Sequence, residues 1–108
     1  MRELDYAGEK FYLSDQLAEA VLEYAKALAE RGTADTVRLK AYDVDGELIE
    51  LDLLVGPASQ IVTHTIAAHL DAPDGDDEAV ERLRRDTARL RPSRPVPQPL
   101  EEDDLNML

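Results

Sequence analysis

The chain has 108 residues, with 24 acidic against 12 basic side chains, a formal net charge of -12, and no cysteine. That size permits a single domain, and the absence of cysteine excludes disulfides, thiolate metal sites and thiol nucleophiles. The acid excess runs through both halves and opposes direct nucleic-acid binding, which needs cations to replace phosphate counterions.

Residues 3–13, ELDYAGEKFYL, predict a short hairpin turning at Ala7-Gly8, with Asp5 opposite Lys10 and Leu4 opposite Phe11. Ser14 then stands as an N-cap, with Asp15 and Gln16 suited to a first helical turn. Leu17, Val21, Tyr24 and Leu28 recur at helical spacing, widened by Ala18, Leu22, Ala25 and Ala29, and Gly32 is the expected stop.

The central stretch, Val37 to Val55, predicts a longer hairpin whose register can be derived. Asp43 and Gly46 occupy the first and fourth positions of a type I turn, with Gly46 in the left-handed conformation of a bulge. Pairing outward sets Ala41 against Ile49, Leu39 against Leu51 and Val37 against Leu53. The other face then pairs Lys40 with Glu50 and Arg38 with Asp52. A slip of one residue would mix apolar and charged positions on both faces, which disfavours it. Gly56-Pro57-Ala58-Ser59 breaks the strand, and Ile61–Ile66 predicts a fifth.

The expected fold is therefore α+β, a small antiparallel sheet with one packed helix in the order ββαβββ over residues 1–70. Residues 71–91 predict a linker and an amphipathic helix from Asp76 to Leu90, acidic at its start and arginine-rich at its end. Its apolar stripe, Val80, Leu83, Thr87 and Leu90, is thin for a helix standing alone in water. Residues 92–108 predict a flexible, extended Pro-rich tail ending in EEDDLNML.

The search for chemistry gives little. His64 and His69 share no helix face and have no third ligand at metal spacing, so no metal or cofactor is expected. No Ser stands in a nucleophile-elbow setting. The acid run from Asp71 departs from a calcium loop at Pro73, and Asp43-x-Asp45-Gly46 belongs to the hairpin turn. An arginine-led PxxP pattern, Arg89 to Pro95, fits a plain spacer better than a groove ligand.

The C-terminus carries the clearest functional hint. Asp103 and Asp104 precede Leu105, Met107 and Leu108, a charge-then-apolar arrangement that suits a docking peptide. The expectation is a non-enzymatic interaction or assembly protein. Its partner surfaces would be that tail and the Val80, Leu83 and Leu90 stripe, and its partner a protein, basic in character, or a second copy. The alternative is an acidic inhibitor, immunity- or antitoxin-like, covering a basic enzyme. The N-terminus lacks the apolar core of a signal peptide and no stretch is long enough to span a membrane, so a cytoplasmic protein without a membrane partner is expected.

Overall fold

The long hairpin forms in the derived register. Strands β3 (Asp35–Tyr42) and β4 (Leu48–Val55) pair from Tyr42–Leu48 through Leu39–Leu51 and Arg38–Asp52 to Asp35–Val55. The turn closes as expected: the Gly46 N–H donates to the Asp43 carbonyl at 3.0 Å, and Gly46 has φ of +81°. The Asp43 carboxylate accepts the Asp45 and Glu47 N–H groups, each at 2.9 Å. These bonds account for Asp43 without a metal.

The first hairpin, β1 (Arg2–Tyr6) and β2 (Glu9–Leu13), also pairs as derived, with Ala7 and Gly8 both at positive φ. Strand β5 (Ile61–Thr65) adds on the far side of β1, giving a five-stranded antiparallel sheet in the order β4-β3-β2-β1-β5. The computed structural model describes residues 1–67 and 70–91. His69 and everything from Pro92 onward, including the tail positions named above, lie outside the described residues.

Helix α1 (Asp15–Glu30) begins where predicted, with the Ser14 hydroxyl accepting the Leu17 N–H at 3.1 Å. It ends in a paired turn: the Thr33 N–H reaches the Leu28 carbonyl and the Gly32 N–H the Ala29 carbonyl, with Gly32 left-handed. Leu17, Ala18, Val21, Tyr24 and Leu28 are buried as their spacing requires. Ala20 and Ala27 are buried too, whereas Ala29 is exposed and Leu22 and Ala25 are half-buried. The buried stripe is rotated because a second helix covers it.

That helix is α2 (Asp76–Leu90), and it corrects the expectation that Val80, Leu83 and Leu90 form a free association surface. Val80 and Leu83 are each 3% exposed and join the same core as Leu4, Leu13 and Val21, with Leu90 packed against it. The compact unit thus extends through α2 and does not end near residue 70. The helix lies parallel to α1. At one end the Ser14 hydroxyl donates to Asp76 at 2.7 Å; at the other, Arg31 donates to the Leu90 carbonyl and Arg91 to Glu23. A thin stripe suffices because the alanines of α1 allow close approach. Among the described residues, no helix is long and apolar enough to cross a membrane.

Candidate functional site

A gap in the sheet makes the most developed site. Strand β2 pairs with β3 only at Tyr12–Tyr42. Past Leu13 the chain turns at Ser14 into α1, so among the described residues no strand continues alongside Asp35–Ala41. Along an antiparallel pair, residues alternate between exchanging backbone hydrogen bonds with their partner and presenting those groups to the other side. Asp43 donates to the Glu47 carbonyl, which fixes the phase: Val37, Leu39 and Ala41 bond to β4, while Thr36, Arg38 and Lys40 direct N–H and C=O toward the gap. A side chain from α2 confirms this phase, because the Arg82 guanidinium donates to the Arg38 carbonyl at 3.1 Å.

Helix α2 stands across the gap from this edge. Between them lies a cleft of about 430 Å³, floored by Leu17, Val37, Leu39 and Leu83. Its carboxylates are Asp35, Glu50, Asp74, Asp76 and Asp86, against three cations, Arg38, Lys40 and Arg82. Two of those cations are engaged. Arg38 pairs with Asp52 at 2.9 Å across the hairpin, and Arg82 holds the Arg38 carbonyl. Hydrogen bonding from Arg38 also keeps the Asp52 carboxyl below its ordinary range.

The cleft ends are anchored by polar contacts. At one, the Tyr24 hydroxyl donates to Asp35; burial, then this carboxylate, pushes the phenol well above its usual range, so it remains a donor. At the other, Asp76 is 8% exposed, accepts from Ser14 through Oδ2 and leaves Oδ1 buried without a partner. The sequence presents Asp76 as a dipole-matching surface acid. It is instead a buried acceptor shared between two helix starts. Ser14→Ala removes both the α1 cap and this donor, and should cost about 2 kcal/mol in urea unfolding. A loss under about 0.5 kcal/mol would contradict the shared role.

A second cluster lies across β1, β2 and β5. Register places His64 beside Glu3, and Asp5, Glu3 and His64 bring their ligand atoms within 4.8 Å of one another. Lys10 Nζ stands 3.3 Å from Glu3 and 3.5 Å from Asp5, supplying the counter-charge. Burial opposes ionisation of Asp5, but its neighbours, the Lys10 ammonium among them, outweigh it and hold the carboxyl below its ordinary range. His64 is exposed, as expected of a strand surface residue. This grouping is not visible in the sequence because it arises from strand order, which places β5 beside β1.

Ser59 has a local role: its hydroxyl accepts the Gly56 N–H at 3.0 Å and donates to the Leu54 carbonyl at 3.2 Å. No protein-family model matches the chain, and neither a curated protein nor a solved structure is significantly similar to it.

Proposed function

We propose that the chain is a non-enzymatic protein-interaction module. The observation supporting this reading is the cleft beside β3, where an unpaired strand edge faces a helix across an apolar floor. Open strand edges template pairing with another chain. One of the two outer edges, β4, is less suited to this, since Glu50 and Asp52 charge its exposed face and, among the described residues, no helix walls it. In this reading the acidic-apolar C-terminus, Asp103 to Leu108, is a second contact on the same partner.

The test is affinity capture from native lysate with the full chain and with a chain ending at Pro99. A partner held by the full chain and held more weakly after loss of the last nine residues supports a module with two contacts. No capture above a bait-free control by either chain would sink the reading. The net charge of -12 favours one alternative, an acidic inhibitor of a basic enzyme. It predicts a basic partner released steeply by salt.

A further inference from the structure

We infer that the cleft between β3 and α2 binds an extended, basic peptide segment that adds to the sheet as a strand beside β3. The inference rests on the interaction-module reading and names the partner's chemistry at that site.

Three features of the cleft determine this choice. First, the edge runs from Thr36 to Lys40, five residues, or about 16 Å at the rise of a strand; the Asp35 carboxylate takes the Thr36 N–H at 2.8 Å, and the N–H groups of Arg38 and Lys40 face the cleft. Donors and acceptors alternate along it at strand spacing, which an extended backbone matches and a helix, with its backbone groups internally bonded, does not.

Second, the floor is apolar and the rim is acidic. One set of alternate peptide side chains would meet Leu17, Leu39 and Leu83, which favours aliphatic residues there. Asp76 and Asp86 stand ten residues apart on α2, about 15 Å along its axis, and so mark the two ends of the edge. Arg38 pairs with Asp52 and Asp86 with Arg89 at 3.2 Å; with those partners counted, six carboxylates still meet four cations, so the cleft favours lysine or arginine flanking the aliphatic positions. The buried, unpartnered Asp76 Oδ1 adds an unused acceptor at one end.

Third, Arg82 now occupies part of the edge. Its guanidinium bonds the Arg38 carbonyl that an incoming N–H would take. It is an exposed side chain whose withdrawal needs no rearrangement of the core. Arg82→Ala should therefore tighten peptide binding about threefold, since one competing hydrogen bond is removed.

The experiment is a random-heptapeptide display selection on the full-length chain, followed by titration of the synthetic winner into isotope-labelled protein. Expected are sequences alternating aliphatic with basic residues, whose binding slows amide exchange at Arg38 and Lys40. Lys40→Pro removes an N–H that faces the cleft and not β4, and should weaken binding about tenfold. Asp86→Lys, a rim change that leaves the core untouched, should weaken it about fivefold. Absence of enrichment, enrichment of acidic or helix-patterned peptides, or protection confined to residues outside β3 would overturn the inference. If lysate capture succeeds but Lys40→Pro and Asp86→Lys leave that partner's affinity unchanged, the module reading stands and the cleft assignment fails.

Discussion

Leu83→Asp is expected to abolish cooperative folding, not merely to alter how copies associate. Leu83 is 3% exposed and lies where α2, α1 and the cleft floor meet. The substitution removes a buried aliphatic side chain and places a carboxylate among the apolar side chains of the core. Losing the apolar contacts costs about 2–5 kcal/mol, and a buried unpaired charge adds several more unless its pKa rises. Domains of this size hold about 5–15 kcal/mol in total. Circular dichroism should show no sigmoidal melt at neutral pH. A folded variant with an unchanged melt and a halved mass in light scattering would contradict this, and would return the stripe to an association surface.

Ending the chain at Leu70 is expected to have a similarly large effect. Burial of Val80 and Leu83 contributes about 1.5–3 kcal/mol each, and α2 also stands beside the buried Ala20 of α1. Without it, the Asp35–Ala41 edge and the apolar floor would both face water. The shortened chain should bind a hydrophobic dye and lose its near-ultraviolet dichroism while keeping much of its far-ultraviolet signal. A chain ending at Pro99 should melt like the full protein. A cooperative melt of residues 1–70 within a few degrees of the full chain would show that α2 is an accessory.

Local chemistry made the hairpins legible. Asp43 and Gly46 set a turn, and one face of Val37, Leu39 and Ala41 opposite Lys40 and Arg38 left a single acceptable register. The same holds for Ser14 and Gly32, which mark the ends of α1 through bonds within a turn of themselves. What the sequence did not convey was which surface each amphipathic element would find. The stripe of α2 is equally suited to a second copy or to its own domain, and only the parallel seating on α1 decides between them. The cleft was illegible for a related reason. It exists because β2 ends at Leu13 while β3 runs eight residues, a mismatch visible only once strand order is known. Asp76 illustrates the point at one residue: its position at a helix start reads as solvated, and a contact 62 residues away in sequence buries it.

The proposed peptide binding requires that β3 present an open edge to the cleft. Residue-resolved amide hydrogen exchange along β3 in the free, full-length chain tests it most directly. The predicted result is alternation: Val37, Leu39 and Ala41 protected by β4, with Arg38 and Lys40 exchanging at least about a hundredfold faster than those neighbours. Equal protection of all five amides would mean that the edge is already covered, and the cleft would then have no strand to offer a partner.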